Sequence, residues 1–217
     1  LLPLLDWKAL AKTTPKVVIG FSDITALQIA LYSKLGWSSI HAPMPGSNLW
    51  GQHTEDIQLL TQLMNASKSL QSTLKLNLLA GKSAKVGGNL VGGCFAVITN
   101  LIGTPFLKFS ANDKILFFED VSENPGRLFR FWNQWVQAGL TDQFSAVVLG
   151  HLAELLPPKN LESYNEIKGK LANQMHEISG LPIFSTESFG HLSPNMPVGI
   201  GVNANICSDN TLTWAMA

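Results

Sequence analysis

Three short stretches carry residue types that could do chemistry. Ser22 lies in Gly20-Phe21-Ser22-Asp23, between a β-branched run and a helical pattern. A serine on such a sharp strand-to-helix turn points its hydroxyl out of the sheet, and the helix start behind it offers backbone N–H groups to an oxyanion. The hydrolase elbow G-x-S-x-G is met only in part, because Ile24 stands at its last position. From local sequence alone the ordinary reading comes first: Ser22 or Asp23 caps the helix. Glu119 ends the apolar run Ile115-Leu116-Phe117-Phe118 and opens the pair Glu119-Asp120. A carboxylate at the C-terminal edge of a strand sits where ligands bind in open α/β sheets, and a solvated strand end is the equal alternative. His191, in SFGHLSPN, lies among Gly, Ser and Pro, where a general base can be placed, although many loop histidines do nothing.

Other candidates are weaker. His41, His53, His151 and His176 form no H-x-x-x-H pair, and neither Cys94 nor Cys207 has a near Cys or His, so no metal site is expected. Gly87-Gly88 and Gly92-Gly93 match no phosphate-loop pattern, and tight turns or close backbone approach are expected there. Phe129, Phe131, Trp132 and Trp135 have helical spacing, which points to core packing or a subunit contact.

Elements must bring these residues together. Lys16–Ile19 reads as a buried strand and Thr25–Leu35 as a helix, with Asp23 as its N-cap. Thr54–Ala66 is a second helix with acidic residues in its first turn. Ser67–Ser83 loses helical period and reads as a linker plus a strand. Lys114–Phe118, Phe144–Leu149 and residues 181–184 read as strands, with helices near Arg127–Gly139 and Leu161–Ser179. The tail after His191 mixes Gly, Asn and Pro with short apolar stretches. This alternation predicts an α/β fold with a parallel sheet, and a division near residue 80 into 1–80 and 81–217.

Composition excludes several classes. Of 217 residues 46% are hydrophobic, enough apolar surface to rule out a disordered chain. Fifteen basic and fifteen acidic residues cancel, leaving no excess to neutralise phosphates, so nucleic acid is not an expected partner. Two cysteines make no disulfide framework, which fits a reducing compartment. Val86–Leu107 has no charge and could span a bilayer by length, but its five glycines, two asparagines and proline predict a buried turn-and-helix segment instead. The N-terminus lacks the basic region and cleavage site of a signal peptide, and it reads as a chain that starts in the middle of something.

Taken in order, LLPLLDW, PKVVIGFSDITAL, IHAPM, GGNL followed by IGTPF, ILFFEDVSENP, AVVLG and LPIFSTESFGHLSPNMPVGIGVNA resemble the LD-carboxypeptidases of serine peptidase family S66, which also contains microcin-immunity hydrolases. The resemblance runs almost from end to end. It implies a Ser-Glu-His triad of Ser22, Glu119 and His191, an oxyanion donor in the Asp23 N–H, and substrate contacts at Gly88 and Asn89. It also implies an N-terminal α/β layer with the serine and a C-terminal β-rich, barrel-like α+β domain with Glu119 and His191.

The implied activity is hydrolysis of the LD-peptide bond to a terminal D-amino acid of murein tetrapeptides, in the cytoplasm, by a homodimer, with no metal or organic cofactor and no membrane partner. The alternatives are an immunity hydrolase acting on an aminoacyl-nucleotide amide and a non-catalytic fragment of the family. The chain departs from the family pattern in three places. About eighty upstream residues, the size of a small domain, are expected in relatives and would carry the first strands and a Gly-Gly-Tyr-Gly segment. Gly126-Arg127-Leu128-Phe129-Arg130 stands where Tyr-Arg-x-Asp-Arg is usual, and HAPM stands for HGPM.

Overall fold

The structure is a computed structural model and describes residues 1–65, 71–83, 85–155 and 164–216. A turn of 3-10 helix at Leu2–Leu4 and the short α1 (Trp7–Leu10) lead into β1 (Val18–Gly20), α2 (Ile24–Leu35), β2 (Ser39–His41) and α3 (Thr54–Asn65). Next come β3 (Gln71–Lys75), β4 (Asn77–Ala80), β5 (Val86–Cys94), α4 (Phe95–Thr99), β6 (Asp113–Val121), α5 (Pro125–Gln137) and β7 (Ala146–Ala153). The chain continues through α6 (Tyr164–Ser179), β8 (Ile183–Ser185), β9 (Val198–Ile200), β10 (Val202–Ile206) and β11 (Thr211–Ala215). Among the described residues no helix is long and apolar enough to cross a membrane.

Two sheets result. The smaller has the order β1-β2-β9, with β1 and β2 parallel and β9 antiparallel to β2. The larger has the order β3-β11-β10-β5-β6-β7-β8-β4, with a parallel centre from β5 to β8 and antiparallel flanks. Its two edge strands, β3 and β4, are separated in sequence by Leu76 alone, so the sheet has to curl until its edges approach. The mixed α/β architecture is the expected one. β3 and β4 precede residue 80 yet already belong to the larger sheet, and β9 returns to the smaller one.

The centre of the larger sheet is the core. Ile115, Leu116 and Phe117 in β6 and Val147, Val148 and Leu149 in β7 are buried, as strands covered on both faces must be. Trp132 and Trp135 of α5 are wholly buried, and Phe95 stacks on Phe118 with ring centroids 4.1 Å apart. Each such ring contributes roughly 1.5–3 kcal/mol through burial. The aromatic group on α5 is therefore core, as its spacing implied.

Three local expectations need correction. The uncharged stretch from Val86 is a nine-residue strand followed by a short helix, not a turn-and-helix segment. Its glycines are there because neighbours come too close for a side chain: a Cβ on Gly92 would lie 1.8 Å from the Phe117 carbonyl oxygen, and one on Gly93 2.6 Å from Thr25 Cγ2. Asp23 takes the N-cap position of α2, but its side chain makes no capping bond. Glu119 is not a solvated strand end, because it lies inside β6 with none of its surface exposed. Part of the helix expected from Leu161 falls on residues 161–163, outside the described residues; α6 itself begins at Tyr164.

Candidate active site

The Ser22 turn is fixed by its neighbours. β1 ends at Gly20, where a Cβ would meet Ile24 Cγ2 at 2.7 Å, so α2 can start directly above the strand end. Gln28 Nε2, on the first turns of α2, donates to the carbonyls of Gly20 (3.2 Å) and Ile40 (2.8 Å), tying the helix to both parallel strands. Between them Ser22 adopts φ +60°, a left-handed conformation that costs a non-glycine residue roughly 1–3 kcal/mol. Its carbonyl accepts from Thr25 N at 2.9 Å. The strained serine is what a sharp strand-to-helix turn requires.

Glu119 reaches the same region from the other sheet. It pairs in register with Cys94 at the end of β5, and its Oε2 accepts a 2.5 Å hydrogen bond from His191 Nδ1. The next residue, Asp120, turns the other way. Its carboxylate accepts from Ala96 N at 2.8 Å and Val121 N at 2.9 Å, holding the start of α4 in place. Burial pushes the Asp120 carboxyl up to about 6; the two amides pull against that, and the nearby Glu119 charge adds to it.

His191 hangs in the loop after β8. Phe189 carbonyl oxygen accepts from His151 N at 2.8 Å, Gly190 N donates to Asn195 Oδ1 at 3.1 Å, and Asn195 N donates to the buried Asp56 carboxylate at 2.7 Å. Gly190 sits at φ +127°, with Glu119 Cβ only 3.0 Å from where its own Cβ would be. The imidazole is 14% exposed, and the Phe21 ring, one residue before Ser22, packs edge-on against it at 5.0 Å. That contact brings the serine turn to the histidine. Burial pulls the His191 pKa down, but the hydrogen bond and charge of Glu119, aided by Asp120, outweigh it, and the net direction is up from the ordinary histidine value.

The bond to Glu119 fixes the ring and its tautomer. Nδ1 carries the proton, so in the neutral ring the Nε2 lone pair is free, and Nε2 is buried with no hydrogen-bond partner among the described residues. A base so arranged can take a proton from a hydroxyl beside it.

The structure thus joins Glu119 and His191, 72 residues apart, and sets the turn that carries Ser22 and Asp23 beside the His191 ring through Phe21. It does not bring Gly88 and Asn89 there. Asn89 pairs with Asp113 at the start of β6, five residues back along β5 from the pairing of Cys94 with Glu119, which is roughly 17 Å. Its side chain donates to Tyr32 Oη and Asp113 Oδ1, both at 3.1 Å. Gly88 packs against Lys114 and Asn112. The two residues therefore leave the candidate site, and the glycine pair that does reach it is Gly92-Gly93, followed by Cys94.

His41 carries no sign of a role in the sequence. It is wholly buried, with the rings of Phe21, Phe117 and Phe189 edge-on at 6.3, 5.8 and 6.1 Å. Burial pulls it down to about 4, so it stays neutral. It fills the seam between the two sheets directly behind His191. No charged neighbour in sequence marks it; its only signal is the IHAPM stretch that contributes to the resemblance.

A serine on a strained turn, next in sequence to a ring packed on a histidine fixed by a buried carboxylate, is an arrangement that serine hydrolases use. Comparison with known proteins gives the family. Residues 87–206 match the LD-carboxypeptidase C-terminal domain and residues 1–42 the N-terminal domain. The chain belongs to the LD-carboxypeptidase family. A putative carboxypeptidase of Streptomyces coelicolor is 31% identical over 97% of this chain, which spans 66% of that relative. The microcin C7 self-immunity protein of Escherichia coli is 26% identical over 97% of this chain and 68% of its own. Among solved structures, the muramoyltetrapeptide carboxypeptidase from Oxalobacter formigenes superposes with a TM-score of 0.79 at 25% identity, over 97% of this chain and 72% of that one.

Proposed function

We propose that the protein is a serine LD-carboxypeptidase that removes the terminal D-amino acid, D-alanine, from murein tetrapeptides during peptidoglycan recycling in the cytoplasm, as a homodimer. The observation that carries this reading is the 2.5 Å His191–Glu119 bond with Nε2 left free beside the Ser22 turn. The similarity to the Oxalobacter muramoyltetrapeptide carboxypeptidase supports the choice of substrate.

The mechanism uses only these groups and water. His191 Nε2 takes the Ser22 hydroxyl proton as Oγ attacks the scissile carbonyl carbon. The negative charge that develops on the carbonyl oxygen is met by the Asp23 backbone N–H at the start of α2. Collapse of this adduct breaks the C–N bond. The imidazolium, steadied by Glu119, gives its proton to the leaving amino group, and the D-amino acid departs. Water then attacks the acyl-enzyme with His191 again as base, and the proton returns to Ser22 as the peptide acid leaves. Glu119 serves to orient the ring and stabilise the imidazolium.

The test is D-alanine release from an L,D-tetrapeptide by the chain and by Ser22→Ala. Release by the parent and none by the variant supports the reading; equal release by both overturns the nucleophile. The similarity to the microcin self-immunity protein, a solved structure of which holds aspartyl sulfamoyl adenosine, motivates a second arm with that compound. Turnover of that substrate alone would assign the immunity reaction instead. Turnover of neither, with no labelling of Ser22 by a phosphonate, would mark the chain as non-catalytic.

A further inference from the structure

A second buried polar cluster lies directly behind the His191 loop, outside the triad. His151, in β7, has both ring nitrogens engaged: Nδ1 lies 2.8 Å from Glu187 Oε2 and Nε2 lies 3.1 Å from the Pro194 carbonyl oxygen. Glu187 stands at the entrance of the loop and Pro194 at its exit, with His191 between them. The His151 backbone N–H also holds Phe189, at the middle of the loop. A Cβ on Gly190 would lie 2.9 Å from His151 Cβ and 3.0 Å from Glu119 Cβ, so the loop backbone is clamped between the two residues.

We propose that His151 is a positioning residue: its imidazole, donating from both nitrogens, braces the two ends of the loop and so holds His191 against Glu119. Donor count requires the doubly protonated ring. A carboxylate and a carbonyl are both acceptors, so both contacts are hydrogen bonds only when both ring nitrogens carry protons. The surroundings supply the oxygens this needs. Glu187 Oε1 takes a 2.5 Å bond from Lys168 Nζ of α6, and Lys168 Nζ also donates to Gly150 carbonyl oxygen at 2.7 Å. His151 and Lys168 are 5% and 3% exposed, Glu187 50%. Burial raises the Glu187 carboxyl, but the bonds from His151 and Lys168 more than offset it, and it stays below its ordinary value.

Other titratable groups facing the cluster are few among the described residues. Tyr164 Oη accepts from Leu152 N, and its ring lies 5.4 Å from Lys168 Nζ. Glu119 and His191 lie across Gly190, and Asp56 holds Asn195 from α3.

The longer tie, to the uncharged Pro194 carbonyl, is the weaker of the two. Pro194 precedes Asn195, whose Oδ1 holds Gly190 N beside His191. Loss of the tie at the exit therefore loosens His191 on Glu119.

The experiment is nitrogen-15 NMR of the labelled chain, following the His151 ring nitrogens and the far-downfield Nδ1 proton of the His191–Glu119 bond. Both His151 ring nitrogens should carry the shifts of hydrogen-bonded nitrogens, and the downfield proton should be present. His151→Phe should broaden that signal. Glu187→Gln, at a half-exposed site, should do the same and keeps the test standing if His151→Phe fails to fold. A His151 ring nitrogen without a hydrogen bond, or an unchanged downfield signal in the folded variants, overturns the brace. On the murein-peptide reading above, kcat of Glu187→Gln should fall about tenfold with KM nearly unchanged, and a change confined to KM would overturn it. The NMR readout needs no substrate, so it decides for or against the brace even if the substrate assignment fails.

Discussion

Gly190→Ala puts the geometry of the site under the sharpest strain that one carbon atom can apply. At φ +127° an alanine pays for a backbone conformation that L-residues avoid, roughly 1–3 kcal/mol. Its Cβ would also press on His151 Cβ at 2.9 Å, Glu119 Cβ at 3.0 Å and Glu119 Oε2 at 3.2 Å. Overpacking of this kind costs about 1–3 kcal/mol more. The sum, about 2–6 kcal/mol, can be relieved only by moving the loop, and the loop carries His191. Urea unfolding followed by tryptophan fluorescence measures the destabilisation, and the rate of Ser22 labelling by a fluorophosphonate reads the site. The expected result is a lower midpoint, slower labelling, or both. Gly169→Ala is the control: it lies in α6 with nothing within 4 Å of the added carbon, so it should hold or gain up to ~1 kcal/mol. A Gly190→Ala protein with parental midpoint and labelling rate would refute the claim that Gly190 is clamped between Glu119 and His151.

Further outcomes follow from the same contacts. Glu119→Gln leaves His191 without the charge that favours its proton and can present the wrong tautomer. Its kcat should fall on the order of 10³–10⁴ with KM little altered, and the His191 titration seen by NMR should move down. Because the net shift of His191 is upward, kcat/KM should rise with pH through a midpoint above the ordinary value of about 6.5, since the base must be neutral. The same shift stabilises the fold fully below that ordinary value, and the contribution is lost as pH rises through the raised one, visible as a falling Tm. Trp132→Ala removes a wholly buried ring and its Nε1 bond to the Met175 carbonyl, and should cost about 3–5 kcal/mol in urea titration without moving Ser22 labelling in the remaining folded protein.

The strands read most plainly are those covered on both faces. ILFF and SAVVL are apolar runs because parallel strands in the middle of a sheet meet helices on either side. KVVI reads as a buried strand too, but β1 is a half-buried edge strand from Val18, with Val17 exposed before it. β5 is hidden for the opposite reason. Its glycines look like breakers, yet they are what lets β6 and α2 approach its backbone, and that need arises only when the sheet is assembled. The site divides in the same way. Ser22 shows itself as a turn, but a helix cap and a nucleophile look alike locally; only the order GFSD, FFED, FGH, matched to a family, favours the second. The bond between His191 and Glu119 joins residues 72 apart and has no local trace. Asn89 is easily misplaced because GGNL and GGCF are alike in composition, and strand register alone decides which reaches Glu119. The roles of His41, marked only by IHAPM, and of the His151–Glu187–Lys168 cluster are not legible locally because their character comes from burial, not from neighbours along the chain.

Ser22, His191 and Glu119 are held here to act as one unit. Fluorophosphonate labelling with the adduct mapped by peptide mass spectrometry tests this most directly. A single adduct on Ser22 is expected, lost in His191→Ala and greatly slowed in Glu119→Gln. An adduct on another serine, or labelling of Ser22 that persists undiminished in His191→Ala, would contradict the triad.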